Sequence, residues 1–277
     1  MSSSRVTAKP WAKWCGGKTK LLPKILPLFP EKIGTYFEPF LGGGAVFFAL
    51  AAEVRFERAF ISDANKELAD TYRAIAHKPL EVIKHLSKHV YEESYYYSVR
   101  ASRPRSLAAR AARMIYLNRT GFNGLYRVNK KGDFNVPFGR YTNPTICDEE
   151  NLLLASAVLR HSTVAIGGVD FEAAVKKARK GDAVYYDPPY VPVSKTSNFT
   201  AYAKGGFDEA AHVRLRDCFK ALDERGVHVL LSNSDTPFVR RLYEGFRISM
   251  VQAPRRINSK GGKRGDVSEL LISGGNA

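Results

Sequence analysis

The chain has 277 residues, enough for one large α/β domain with a smaller one inserted or appended. A hydrophobic content of 44% fills an ordinary core, and no apolar run reaches the ~18 residues a membrane-spanning helix needs. The 43 Lys and Arg against 27 Asp and Glu leave a formal charge of +16. That excess suits a polyanionic partner, because each phosphate neutralised by Lys or Arg releases condensed counterions. Ribosomal and membrane-surface proteins share such a charge, so nucleic acid is the leading class of partner and no more. Met1 to Pro10 is small, polar and basic, without an apolar segment of signal-peptide type, so a soluble, cytoplasmic chain is expected.

In chain order, Gly34–Glu38 reads as a short strand entering a Gly42-Gly43-Gly44 turn, and Ala45–Leu50 as the start of a buried helix. Arg58–Ser62 is a second strand, ending at Asp63. Asn65–Ala76 is helical, with Leu68, Tyr72 and Ile75 on one face. This strand–turn–helix–strand order opens a doubly wound parallel sheet. From about His77 to Ser156 the character changes. Helical stretches such as Ala108–Met114 precede a loop-like run dense in Asn, Gly, Arg and aromatics, Asn118–Tyr141, and the whole stretch reads as an inserted subdomain. Of Tyr95-Tyr96-Tyr97, helical spacing makes at least one a core residue.

The alternation then resumes. Thr163–Ile166 is a strand, Phe171–Ala178 a helix, and Ala183–Tyr186 a strand that delivers Asp187 at its carboxyl end. Asp208–Arg225 is an amphipathic helix with Val213, Phe219 and Leu222 inward and Gly226 as its stop. Val227–Leu231 is a central strand. Asp235 or Thr236 caps the next helix, with Pro237 in its first turn. Strands near Ile248–Val251 and Leu270–Ser273 close the chain; the loops Val191–Phe207 and Asn258–Asp266 are long and basic or Gly-rich. The division is therefore 1–76 with 157–277 as one domain and 77–156 as its insertion.

Metal chemistry is not expected. Cys15, Cys147 and Cys218 are too scattered for a disulfide framework or a CxxC pair. His85 and His89 are i,i+4 on a predicted helix without an HExxH pattern, and read as solvated.

Two segments carry chemistry. Phe40-Leu41-Gly42-Gly43-Gly44 follows a strand and opens a helix, where Gly lets the backbone pass close to a ligand. Asp63 follows Gly42 by 21 residues, at the end of the next strand, where a carboxylate can accept both hydroxyls of a ribose. Phe47 stands where the third Gly of a dinucleotide fingerprint belongs, so a compact nucleoside fits better than a dinucleotide. A tight turn with nothing bound is the bland alternative.

Asp187-Pro188-Pro189-Tyr190 is more specific. The lone pair of an exocyclic base amine is delocalised into the ring, which makes it a poor nucleophile. A carboxylate and an adjacent carbonyl can together accept both of its hydrogens, drawing the nitrogen toward a tetrahedral shape with the lone pair aimed outward. Asp187 supplies the carboxylate and Pro188 the carbonyl, while the two prolines restrict the turn and remove competing donors. Tyr190 offers a π-face for a base flipped out of the duplex. Transfer of a methyl from a sulfonium would then depend mostly on positioning. The bland alternative is a Pro-Pro turn after a strand.

Trp14-Cys15-Gly16-Gly17-Lys18, Phe40–Gly44, Asp63, Asn118-Arg119, Phe122–Leu125, Phe134–Gly139 and Asp187–Tyr190 together resemble the Dam-type adenine-N6 DNA methyltransferases (D12 class, alpha group). Asn198–Tyr202 and Ser232–Thr236 look like further segments of the family. The blocks are collinear over nearly the whole chain; Cys15 stands where the family usually has Ala. The resemblance implies a Rossmann-like S-adenosylmethionine methyltransferase sheet with an inserted, mostly helical DNA-recognition domain, acting in a prokaryotic or phage-infected cell. It implies S-adenosyl-L-methionine as cofactor and double-stranded DNA as partner. Cofactor contacts are implied at Trp14, Lys18 (toward the methionine carboxylate), Phe40, Gly42, Gly44, Asp63, Asp170, Phe171 and Asp187, with Asp187, Pro188 and Tyr190 catalytic.

The inserted stretch resembles the family's DNA-reading domain. Arg127 falls where an Arg meets a guanine, and Pro137 where an apolar contact meets a thymine methyl. Lys13 and Tyr141 match positions that read the outer base pair. Phe122 and Leu125 match intercalating side chains, Asn123 a contact beside them, and Arg119 and Asn129 further DNA contacts. These matches imply GATC as the target. Left open are a phosphate contact for Arg127, core roles for Phe122 and Leu125, and a solvated Lys13. Other acceptors (cytosine N4, RNA, a protein amide) and a non-catalytic DNA-binding module are the alternatives; Ser or Asn in place of Asp187, or loss of the Gly loop, would mark them. Arg255-Arg256 with Lys260, Lys263 and Arg264 faces either DNA phosphates or solvent.

Overall fold

Period-two burial fixes the centre of the molecule. In the computed structural model, residues 7–161, 163–192, 207–254 and 266–275 are described. Strands β1 (Ile33–Glu38), β2 (Phe56–Ser62), β3 (Val164–Gly167), β4 (Ala183–Tyr186), β5 (His228–Ser234), β6 (Arg247–Pro254) and β7 (Asp266–Ser273) form one sheet in the order β3-β2-β1-β4-β5-β7-β6. The first five are parallel, and β7 is antiparallel to both β5 and β6. Alternate side chains go to opposite faces. Tyr36, Tyr185, Leu230 and Leu271 enter one core, and Phe37, Val184, Tyr186, Leu231, Leu270 and Ile272 the other. The architecture is the Rossmann-like α/β sheet expected from the sequence.

Short α1 (Leu22–Ile25), α2 (Ala45–Ala52) and α3 (Lys66–His77) cover the first face. Outside them, α4 (Pro79–Leu86) and α5 (Glu93–Ala101) pack on α6 (Leu107–Thr120), and α6 and α7 (Glu149–Leu159) pack on α3, with their buried residues joining the same core. The second face carries α8 (Phe171–Val175), α9 (Glu209–Glu224) and α10 (Pro237–Leu242). Side-chain caps start several of these helices: Asn65 for α3, Ser106 for α6, Asp148 for α7, Asp170 for α8, Asp208 for α9 and Thr236 for α10. Among the described residues, no helix is long and apolar enough to cross a membrane.

The structure departs from the sequence expectations in several places. On α9 the inward stripe is His212, Leu215, Phe219 and Leu222, whereas Val213 is 36% exposed. Val213 is one residue out of phase with a stripe whose steps are three and four. Asp235 does not cap α10; its carboxylate is paired with Arg240, and Thr236 accepts the Val239 N–H. Helix α8 stops at Val175, leaving Ala178 in the turn beyond. His89 lies past the end of α4 and is not solvated: its ring stacks on Tyr116 at 4.6 Å and its Nδ1 pairs with the Tyr95 hydroxyl. The run Asn118–Tyr141 begins inside α6, and Tyr96 is the core member of the tyrosine triplet.

Candidate active site

The strand order reverses between β1 and β4, and a sheet of this kind offers its crevice at the carboxyl ends of the strands there. Glu38 ends β1, Asp63 follows β2, Asp187 follows β4, and Ser232–Ser234 end β5. The Asp187 carboxylate is 20% exposed. Lys18, itself 4% exposed, places Nζ 2.7 and 2.8 Å from its two oxygens and donates also to the Gly16 carbonyl. Ser232 Oγ donates to Asp187 Oδ1 at 3.0 Å, which leaves the Tyr185 hydroxyl as donor to Ser232 at 2.8 Å. The turn beyond is pinned too. Asn233 Oδ1 accepts the Val191 N–H, and Ser234 Oγ donates to the Val191 carbonyl. The Ser232–Thr236 segment thus fixes the Asp187–Val191 turn from the neighbouring strand.

Pro188 is buried and Tyr190 partly so. The Tyr190 ring lies 4.9 Å from Lys18 Nζ, and its hydroxyl donates to Glu269 Oε2 on β7 at 2.8 Å. Burial, only partly offset by Lys18 and by this hydrogen bond, holds the Glu269 carboxyl above the usual range. Sequence reasoning missed Glu269, and also Glu38. Glu38 is buried, accepts the Tyr36 hydroxyl at 2.7 Å, and is pushed up to about 8 by loss of water. The available signal for Glu38 was a carboxylate closing an apolar strand just before the Gly turn.

On the other side of the switch point, Gly42 and Gly44 have φ of +49° and +70°. A Cβ on Gly42 would come within 2.6 Å of Trp14 Cδ1, so the turn accepts only Gly beneath that indole. The Tyr72 hydroxyl holds the Gly42 carbonyl at 2.9 Å. Asp63 accepts the Gly42 N–H on one oxygen (3.0 Å) and the Asn65 N–H on the other (2.9 Å). Burial raises it to about 6, against the pull of those two N–H groups. Phe40 stacks on Phe171 at 5.6 Å, with Phe207 edge-on to Phe40. Asp170 caps α8 and pairs with Arg214 at 3.2 Å.

The DNA-reading candidates divide by exposure. Lys13, Phe122, Asn123, Arg127, Asn129 and Pro137 are exposed, Arg119 and Tyr141 partly buried, and Leu125 buried in the core. Lys13 is held rather than loose: its N–H donates to Asn118 Oδ1, and its Nζ sits 4.2 Å from the Tyr141 ring centre. A cleft of about 260 Å³ is lined by Phe122, Asn123, Phe138, Gly139, Arg140 and Tyr141. Arg140 was not singled out from sequence. The segment after α6 is strapped to the 137–139 backbone by Phe122 N–H to Pro137 O and Gly139 N–H to Thr120 O. Gly139 permits this approach, since a Cβ there would meet Gly121 backbone at 2.9 Å. Arg127 lends Nε and Nη2 to Asn135, at 2.7 and 3.0 Å. Asn129 Oδ1 is spent on the N–H groups of Lys131 and Asp133, closing the turn between Arg127 and Asn135. Asn198–Tyr202, the two long loops and the 255–264 basic cluster lie wholly or mostly outside the described residues.

Residues 14–257 match the family model for D12 class N6 adenine-specific DNA methyltransferase. The chain belongs to that family. It is an adenine-specific DNA methyltransferase, and the family implies DNA as substrate and S-adenosylmethionine as methyl donor. The methyltransferase is similar to the type II methyltransferase M1.LlaDCHI of Lactococcus lactis, at 45% identity over 99% of this chain and 98% of the relative. It is 42% identical to M.MjaIII of Methanocaldococcus jannaschii, over 95% and 98%. It is 37% identical to the DNA adenine methylase of Vibrio cholerae, over 94% and 93%. The residues around Gly42 fit the donor. Asp63 keeps lone pairs for sugar hydroxyls, and the buried Asn65 Nδ2 has no partner among the described residues. At Gly42 and Gly44, both with positive φ, an added Cβ would come within 2.6 Å of Trp14 and 3.0 Å of the Tyr72 hydroxyl, respectively.

Proposed function

We propose that the methyltransferase methylates adenine N6 at GATC in duplex DNA, after rotating the base out of the stack. The observation that carries this reading is Asp187: a carboxylate at the strand end beside the switch point, held by Lys18 and Ser232, with the Pro-Pro turn and the anchored Tyr190 ring next to it. Asp187 accepts one amine hydrogen and the Pro188 carbonyl the other; Tyr190 holds the base by its π-face. S-Adenosylmethionine, when bound, supplies an electrophilic methyl on a sulfonium. Asp63 and the Gly42–Gly44 backbone hold its nucleoside, the Phe40–Phe171 pair and Asp170 lie toward its adenine, and Trp14 and Lys18 toward its methionine end.

Residues 77–156 serve as the reading domain between the two catalytic segments 1–76 and 157–277. Arg127 reads a guanine, Pro137 a thymine methyl, and Lys13 with Tyr141 the outer pair, while Phe122 fills space left by the departed base. Arg119, Asn123, Leu125 and Asn129 shape or extend that surface. GATC rests on resemblance at these positions; the exposure of Lys13, Phe122, Asn123, Arg127, Asn129 and Pro137 leaves them free to meet DNA, and Phe122, Asn123 and Tyr141 line the cleft.

The deciding experiment is transfer of labelled methyl to duplexes with and without GATC, followed by nucleoside analysis. N6-Methyladenine confined to the GATC duplex is expected. Label in N4-methylcytosine, or equal labelling of both duplexes, overturns the reading. In the same assay Arg127→Ala should cost about 1–3 kcal/mol in discrimination at one guanine. Uniform weakening on every sequence would mark a phosphate contact.

A further inference from the structure

Tyr126 belongs to no motif and stands between the buried Leu125 and the exposed Arg127. Its ring stacks on Trp14, with centroids 5.8 Å apart and planes 28° from parallel, and meets Phe134 edge-on at 5.7 Å. Its hydroxyl donates to Glu67 Oε2 at 2.8 Å. The other Glu67 oxygen accepts Arg113 Nη1 at 3.3 Å. Arg113 is 8% exposed, and its Nε and Nη2 donate to the carbonyls of Val99 and Arg100. Glu67 itself is fixed in the first turn of α3, whose cap Asn65 accepts its N–H and donates its own N–H to Asp63. A ring is thereby pinned at its hydroxyl end by a carboxylate and laid against the indole that roofs Gly42.

We infer that Tyr126 and Glu67 are positioning residues for the donor site: Glu67 anchors Tyr126, and Tyr126 seats Trp14 over the Gly42 turn. The physical case is one of entropy. A half-buried indole on a loop after residue 10 has several rotamers, and a stacked aromatic partner with a fixed hydroxyl removes all but one of them before the ligand arrives. The inference rests on the reading of Gly42 and Asp63 as the donor site.

Trp11 and Trp14 are the protein's two tryptophans, and Trp11 is 1% exposed. Trp11→Phe therefore makes Trp14 the sole indole reporter. Against that parent, Tyr126→Leu should raise the acrylamide quenching constant of Trp14 about twofold or more. It should also weaken binding of labelled S-adenosylmethionine, by equilibrium dialysis, about tenfold. The turnover loss should fall on KM for the donor rather than on kcat. Tyr126→Phe, which keeps the ring and folds most safely, should show the same changes at smaller size. Glu67→Ala, which removes the acceptor of the Tyr126 hydroxyl, should show changes of the size of Tyr126→Phe, and unchanged quenching with unchanged donor affinity in it overturns the anchoring role of Glu67. Unchanged quenching and unchanged donor affinity in Tyr126→Leu and Tyr126→Phe overturn the inference, as does a fall in kcat with donor affinity intact. Asp63→Asn separates the two levels. If it weakens donor binding while the Tyr126 variants do not, the positioning role alone fails; if Asp63→Asn leaves binding intact, the donor-site reading fails.

Discussion

Asp63 is pulled two ways, and the balance has a measurable sign. Loss of water raises its carboxyl to about 6, above the 3.8 of an unperturbed Asp, despite hydrogen bonds from Gly42 and Asn65. A raised carboxyl favours the folded state only while protonated. That contribution is complete below the unfolded pKa and lost as pH climbs through about 6. If Asp63 holds the sugar of the donor as proposed, the sugar hydroxyls make the opposite demand, because they donate to the ionised form. Donor affinity should therefore be flat above the folded pKa and fall toward about tenfold per pH unit below it, while Asp63→Asn shows no such step. Dialysis across that range checks it. The Lys18–Asp187 pair supplies a second residue-level outcome. Asp187→Ala removes methyl transfer and also strands an ammonium that is 4% exposed. Unfolding free energy should drop by about 2–3 kcal/mol. Lys18→Met/Asp187→Ala should recover most of that stability without any activity. A double variant no more stable than the single one would mean that the ammonium is not the source of the loss.

At the scale of elements, the β1–α2 turn is where the demands of the backbone and of the proposed donor site coincide. Gly42→Ala places a methyl 2.6 Å from the Trp14 ring at a φ of +49°. About 1–2 kcal/mol of strain is expected, relieved by lifting the indole. Thermal denaturation should show the first effect and weakened donor binding the second; an unperturbed Tm with normal binding would mean the turn tolerates a side chain. This turn was legible in the sequence, as were the five parallel strands, because glycine runs and alternating apolar residues are local signals. The reversed phase of Val213 shows the limit of a local signal: one apolar residue beside a helical stripe looks like part of it, and His212, which is buried, looks polar. Tertiary partners were out of reach altogether. Lys18 and Asp187 are 169 residues apart, and nothing near either one encodes the other. Glu269 and Arg113 lie in segments whose composition is ordinary, Tyr126 is one aromatic among several in the Asn118–Tyr141 run, and their roles come only from what the fold sets beside them.

For the whole molecule, two cores share one sheet. The core that carries α4 to α7 also carries the first-face residues of β1, β2, β4, β5 and β7, so the surface around Phe122 and Arg127 is built on the same packing that holds the Gly42 turn. Over this frame the chain spreads a formal charge of +16. If that charge is spent on phosphates, affinity for duplex DNA must fall steeply with salt. For about 6–10 contacts the loss is about 10³- to 10⁵-fold between 50 and 200 mM. A titration at several salt concentrations measures the slope, and less than about a tenfold change over that interval would show that the charge lies elsewhere.

The place of β7 has a consequence for biosynthesis. It runs between β5 and β6, supplies every ladder bond that ties β6 to the sheet, and carries the Glu269 carboxylate that holds the Tyr190 hydroxyl. A nascent chain that has emerged only as far as β6 has an open edge at β5 and a Tyr190 without its anchor. The anchor of Tyr190 is therefore made only once Glu269 has left the ribosome and β7 has slotted in beside β5.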